Sequence, residues 1–277
     1  MSDSYMAFIY VALAFLAVDA VITMGFVTNM VTFLHTTGQG PFPITTSDGP
    51  LLFYAEPEHP RLIGNQGHTT NGAGGTALIL IGLGGALALW LESRSRRNVS
   101  FPSRRRSRGA CTTMTQVADS CPLPFLQTGR SSVWFYTWSI MTVLSLLLTL
   151  TALIFTFVVT AQTANQSIDM AHLRTLLPDP NGATLPYDLL TWTPENWYKA
   201  VLLQIDFVNQ GDRDLIQRNY NLMVGWRWNL IPLFLLGLLL VVLVALENSR
   251  VRRSRGLYAA TGRNLEAKEI ANDSTLA

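Results

Sequence analysis

An acidic residue stands near the middle of the first long apolar run of the chain. Asp19 is the only acid deep within any such run. A charged side chain at the centre of a bilayer costs about 2.5 to 3.5 kcal/mol on insertion scales, so this carboxyl is expected to be neutral or to face polar partners. The functional interpretation is a proton or ion relay, and the structural one is a neutral carboxyl that holds helices together. We favour the structural interpretation, because no second acidic or basic side chain lies at similar depth.

Hydroxyl side chains in the third apolar run are the predicted partners of Asp19. Small and hydroxyl residues recur there every three or four positions: Thr142, Ser145, Thr149, Ala152 and Thr156. This spacing puts them on one face of a helix, where hydroxyl groups can bond to a neighbouring helix.

Residue types that bind metals or activate nucleophiles are few. Glu56, Glu58, His59 and His68 share one polar segment, but their spacing matches no established zinc pattern. Neither a G-x-S-x-G elbow nor an H-E-x-x-H motif occurs in the sequence. The sequence therefore predicts no catalytic residues, no metal site and no cofactor.

Four apolar segments must position these residues. Of the 277 residues, 49% are hydrophobic and only 14% are charged, well below the roughly 25% charged residues of soluble domains. Crossing a hydrocarbon core of about 30 Å takes about 20 apolar residues in a helix, and only a helix satisfies the backbone of a single segment in lipid. The predicted spans are residues 6–34, 72–91, 133–161 and 222–246. The predicted fold class is an all-α membrane protein with a four-transmembrane-helix bundle.

Basic residues predict the orientation of the spans. Of the 20 Lys and Arg residues, 14 lie in the loop 93–132 or after residue 247. Positive charge is retained on the cytoplasmic side, so both termini and this loop are predicted to be cytoplasmic, with outer loops at 35–71 and 162–221. The transmembrane domain is then residues 1–247, and residues 248–277 are predicted to be a disordered cytoplasmic tail. The long first and third spans favour the plasma membrane or the secretory pathway.

The first span has an alternative interpretation as a cleaved signal peptide. Val18, Asp19 and Ala20 form a small-residue pattern compatible with cleavage. Residues 1–6 carry no positive charge, however, and the apolar run continues for fourteen residues past Ala20. We therefore favour a retained span.

Several surface features suggest modification or lipid contact. The arginine-rich stretch Arg94–Arg108 is expected to attract anionic lipid, at about 1 kcal/mol per basic residue near the surface, or only to enforce topology. Ser100 and Ser107 follow basic residues, and their phosphorylation would weaken that contact. Asn165 begins a glycosylation sequon close to the end of the third span.

Glycine and alanine form stripes on the second span. Gly75, Gly82 and Ala86 share one helix face, and small residues let helix backbones approach closely. The stripe predicts packing within the bundle, with self-association as the alternative.

The second outer loop contains the start signal of an amphipathic helix. Thr193 can cap it, Pro194 suits the first helical position, and Glu195 favours the positive helix end. Trp197 and Phe207, together with Trp226 at the start of the fourth span, are predicted to form an outer cap. The cap is either a site for partners or ligands or a structural lid over the helix ends.

Two stretches carry a resemblance to a known group of proteins. TPENWYKAVL at 193–202 and GWRWNLIPLFLLG at 225–237 resemble a pattern in uncharacterised four-span integral membrane proteins of filamentous fungi. The resemblance covers the last third of the chain and implies architecture, with no activity attached. Claudin-like and tetraspanin families share the four-span count, but neither outer loop here contains their cysteines.

The sequence thus favours a non-enzymatic tetraspan scaffold or membrane organiser. Its expected partners are the lipid bilayer, other membrane proteins or a second copy of the chain, and no nucleic acid is expected. A transporter or channel component using Asp19 is the alternative, and a membrane enzyme ranks third.

Overall fold

Four long apolar helices dominate the fold. The computed structural model describes residues 3–46, 49–54, 65–99, 128–168 and 192–273. The helices long and apolar enough to cross a membrane are Tyr5–His35, Gly67–Arg94, Val133–Gln162 and Gln210–Arg250. They confirm the predicted all-α membrane bundle with four spans.

The helices are numbered in chain order. They are α1 (Asp3–His35), α2 (Asn65–Thr76), α3 (Gly84–Val99), α4 (Thr128–Gln162), α5 (Pro194–Gln204) and α6 (Gln210–Asp273). A π-helical segment, Ala77–Leu83, joins α2 to α3, and the three together form the second span. The long first helix runs without a break through Ala20, which is buried in the core of the bundle.

The four spans form a ring around an apolar core. The first and third spans, α1 and α4, each pack against α6 and against the second span. Leu16, Leu89, Leu230 and Leu233 are buried at the centre. Large apolar side chains, among them Phe15, also cover the outside of the bundle. Helices that are apolar all round suit a surrounding hydrocarbon phase.

Close packing in the second span involves Gly82 of the predicted stripe and also Gly85, which the stripe did not include. A Cβ on Gly85 would lie 2.6 Å from the Trp138 ring, and one on Gly82 would lie 3.5 Å from Ala17. Gly75 has no neighbour within 4 Å of such an atom, and Ala86 is exposed. The prediction assumed α-helical spacing throughout, whereas the π-helical segment Ala77–Leu83 lies between Gly75 and Ala86 and changes which positions share a face.

A small sheet, absent from the sequence-based prediction, lies at one end of the bundle. Strands β1 (Phe42–Thr46) and β2 (Gly49–Phe53) pair antiparallel, with Ile44 opposite Leu51. Residues 205–208 add to the other edge of β1 through a bridge between Ile44 and Phe207. The sheet and α5 together are called the cap below.

The ends of α5 and α6 show how well local signals predict helices. As predicted, the Thr193 side chain accepts a hydrogen bond from the Asn196 backbone, and Pro194 stands in the first turn of α5. Helix α6 begins at Gln210 and continues directly into the fourth span. The tail predicted to be disordered from residue 248 differs as well, because the helical backbone continues to Asp273. This stretch lacks proline and is rich in Arg, Ala, Leu and Glu, which favour helix.

Candidate functional site

A stripe of buried hydroxyl groups runs along α4. The structure places Thr142, Ser145 and Thr149 on the inner face. Most of these groups bond within their own helix: Thr142 Oγ1 donates to the Ser139 carbonyl at 2.7 Å, and Thr149 Oγ1 donates to the Ser145 carbonyl at 2.9 Å. Such back-bonding satisfies a hydroxyl group locally, so these donors are not aimed at Asp19.

The polar partners of Asp19 lie on α1 and α6. The Asn229 side chain lies close enough to the Asp19 carboxyl to interact with it, and its amide donates to Thr23 Oγ1 at 2.8 Å. The Thr23 hydroxyl donates in turn to the Asp19 backbone carbonyl at 3.0 Å. The second carboxyl oxygen, Asp19 Oδ2, is buried without a hydrogen-bond partner among the described residues. Asn229 is a polar residue within the apolar run of the fourth span. Its position there could have identified it as a partner for Asp19, and the sequence analysis missed it.

A cavity lies where all four spans meet. Its volume is about 10 Å³, and its lining includes Leu16 from α1, Ile81 from the π-helical segment, Ser145 from α4 and Leu233 from α6. A cavity of this size has room for about one water molecule. Thr76 Oγ1 lies 3.4 Å from Ser145 Oγ beside it. This space is far too small for a solute larger than water.

The three aromatic residues predicted to form an outer cap come together where the cap meets α6. Trp197 and Trp226 are buried in one apolar cluster, and Phe207 packs against it. The Tyr198 hydroxyl donates to the Gly38 carbonyl at 2.9 Å, which ties α5 to the chain just after α1. Trp197 is therefore a core residue of the cap, with almost no surface left for lipid.

An amide at the start of α5 ties the cap to the end of α4. Asn196 Nδ2 donates to the Thr160 carbonyl at 2.8 Å and to Thr163 Oγ1 at 2.7 Å. The Thr193 and Thr163 hydroxyl oxygens lie 3.4 Å apart beside it. All of these groups are buried, so the cap and the third span form one hydrogen-bonded unit.

A charged pair lies at the junction of the cap and the bundle. Arg227 Nη2 lies 3.2 Å from Glu195 Oε1, and the two side chains are only 20% and 8% exposed. The guanidinium carbon lies 5.4 Å from the ring centre of Phe157 and 5.8 Å from that of Trp228. Burial raises the pKa of the Glu195 carboxyl, although the positive charges of Arg227 and Lys199 partly oppose this. Sequence analysis did not single out Arg227, although a cation near the start of an apolar run is a recognisable signal.

The remaining predicted sites are scattered. Ser100, Ser107 and most of the basic loop lie outside the described residues, as do Glu56, Glu58 and His59. His68 is exposed on α2, and Asn165 is exposed in a left-handed conformation (φ 66°) just after α4. Within the described part of the chain, no group of three His, Cys, Asp or Glu side chains could hold a metal ion.

Comparison with known proteins provides no family for this chain. No protein-family model, no curated protein and no solved structure matches it. The resemblance to fungal four-span proteins stays a prediction.

Proposed function

We propose that this multi-pass membrane protein is a non-enzymatic organiser that holds its cap as a docking platform at the membrane surface. The observation that carries the proposal is the continuous buried cluster joining the cap to the spans. It runs from Met30 and Phe33 on α1, through Ile44 of the sheet, to Trp197 on α5 and Trp226 on α6. A cap built into the same core as two spans has a fixed orientation relative to the bilayer, and a docking platform requires that.

The outward face of the sheet supplies a surface for partners. Leu52 pairs directly with Pro43, whose carbonyl accepts a hydrogen bond from the Val208 backbone at 2.9 Å. Direct cross-strand neighbours share a face, and both Leu52 and Val208 are exposed. Leu203 on α5 is 73% exposed. Exposed apolar groups on a structured cap favour contact with another protein.

Two glutamate substitutions test this surface. We expect Leu203→Glu and Val208→Glu to leave folding intact and to abolish the binding of partner proteins. The partners are crosslinked in cells, co-purified in mild detergent and quantified by mass spectrometry. Gln217→Glu, at an exposed position on α6, is the matched control. An identical set of crosslinked proteins for both cap variants and the wild type would contradict the proposal.

The proposed orientation places the cap outside the cytoplasm. Its support is the distribution of charge, with 14 of 20 basic residues in the loop 93–132 and after residue 247. We expect a tag after residue 277 to resist protease added to intact cells and a tag in the cap to be digested. Digestion of the C-terminal tag in sealed cells would reverse the orientation.

Proton movement through Asp19 is the second candidate function. The buried Asp19 Oδ2, which has no hydrogen-bond partner among the described residues, favours it. Transport predicts that wild-type protein in liposomes dissipates a pH gradient and that Asp19→Asn abolishes this flux at equal protein abundance. The organiser proposal predicts no flux above protein-free liposomes for either form.

A further inference from the structure

Arg227 has more hydrogen-bonding capacity than the protein around it uses. A guanidinium group carries five N–H donors. Nη2 contacts Glu195 through one carboxyl oxygen at 3.2 Å, and Arg227 Nε is buried and has no hydrogen-bond partner among the described residues. The pair is thus not the two-bond arrangement that Arg and carboxylate groups often adopt. A fifth of the Arg227 side chain also stays exposed.

The junction carries an excess of positive charge. Lys199 is exposed one helical turn after Glu195 on α5, and its charge acts on Glu195 together with that of Arg227. Two cations therefore lie near one carboxylate, which leaves a single net positive charge. Tyr220 lies two turns before Arg227 on α6 and close enough to interact with the charges of both Arg227 and Glu195, so a phenol hydroxyl is available in the same region.

An exposed apolar seam leads from this charge along the bundle. The rings of Phe157 on α4 and Trp228 on α6 meet edge to face at 5.5 Å between centres, which marks the line where the two helices touch. Trp228 is 53% exposed. Ile154 lies one turn along α4 from Phe157, and Leu235 lies two turns along α6 from Trp228, so each continues the same face. Both are exposed.

We propose that this junction binds a phospholipid from the leaflet on the cap side. Arg227 and Lys199 hold the headgroup phosphate, and an acyl chain lies along the seam of Trp228, Ile154 and Leu235. A phosphate accepts several N–H donors at once and offsets the excess charge, while Trp is favoured at the depth where headgroups meet hydrocarbon. The inference depends on the membrane location alone, so it holds whether or not the cap docks protein partners.

Native mass spectrometry of the full-length protein in detergent tests the site, with phosphatidylglycerol as the added probe. We expect Lys199→Gln to weaken binding of one lipid molecule about fivefold, since a basic residue near a lipid surface contributes about 1 kcal/mol. The double variant Glu195→Gln/Arg227→Gln removes both buried charges together and is expected to weaken it more. Arg218→Gln, an exposed position on α6, should bind as the wild type does.

Water-soluble competitors identify the source of the phosphate. We expect neither inorganic phosphate nor the deacylated headgroup glycerophosphoglycerol to displace the lipid at concentrations that saturate the lipid site. Displacement by either at a similar concentration would overturn the lipid assignment in favour of a soluble phosphate ligand. Unchanged lipid affinity in Lys199→Gln would overturn the site itself, and this variant decides the matter even if the double variant fails to fold.

Discussion

Replacing Asn196 with alanine tests most directly whether the cap is fixed to the spans. The side chain is 8% exposed, and its amide donates to the Thr160 carbonyl and to Thr163 Oγ1 at 2.8 and 2.7 Å. Each such bond contributes a net 0.5 to 1.5 kcal/mol, so losing both costs about 1 to 3 kcal/mol. The cost falls on the contact between α5 and α4, while contacts among the spans are untouched.

Hydrogen exchange followed by mass spectrometry measures this loss of stability locally, in the amides of α5. If α5 opens locally, a loss of about 1 to 3 kcal/mol speeds the exchange of its amides about 5- to 150-fold. Asn209→Ala is the control, because Asn209 is exposed and the one hydrogen bond of its side chain among the described residues goes to the nearby Asp212 carboxylate, at 3.2 Å. Wild-type exchange rates in α5 of Asn196→Ala would refute the reasoning, since the two bonds would then contribute nothing to holding the cap.

Three further substitutions probe the bundle and the junction. Gly85→Ala is expected to destabilise the bundle by about 1 to 3 kcal/mol through the clash of its Cβ with the Trp138 ring, and Gly75→Ala should be nearly neutral; thermal unfolding in detergent compares the two. Tyr198→Phe removes a buried hydrogen bond and should lower stability by about 1 kcal/mol in the same assay, and an unchanged midpoint would contradict that bond. Burial raises the pKa of Glu195, so its contribution to stability is complete below the ordinary value of 4.5 and is lost as the pH rises through the raised value. The stability of Glu195→Gln, measured by unfolding at several pH values, should therefore not fall over this pH range. A pH dependence of stability identical to that of the wild type would exclude Glu195 as the source of the loss.

Features that depend on a single segment could be predicted from the sequence. The number of spans follows from the length of each apolar run, since roughly 20 apolar residues cross the hydrocarbon core whatever lies beside them. The start of α5 was also predictable, because the Thr193 cap and Pro194 act on the first turn of their own helix. The inward face of α4 followed from hydroxyl groups spaced every three or four residues.

Features that depend on which segments are neighbours were not predictable. The hairpin of β1 and β2 is local, with two residues between its strands, and the sequence analysis overlooked it. Only the further edge formed by residues 205–208 depends on a distant segment. On the second span, the predicted stripe of Gly75, Gly82 and Ala86 assumed unbroken α-helical spacing, and only the contact with Trp138 on α4 shows that Gly85 faces inward as well. The charged pair of Glu195 and Arg227 likewise joins two helices that no spacing rule connects.

Asp19 shows where the division lies. The sequence by itself determined that a carboxyl group lies in the middle of a span and needs polar partners, because its depth and the cost of burying a charge are local properties. Only the tertiary structure decided that the polar partner is Asn229 on α6, because α1 packs beside α6 and lies across the ring from the hydroxyl groups of α4. Helical periodicity defines the faces of each span, whereas the order of the spans around the ring is set by packing among all four.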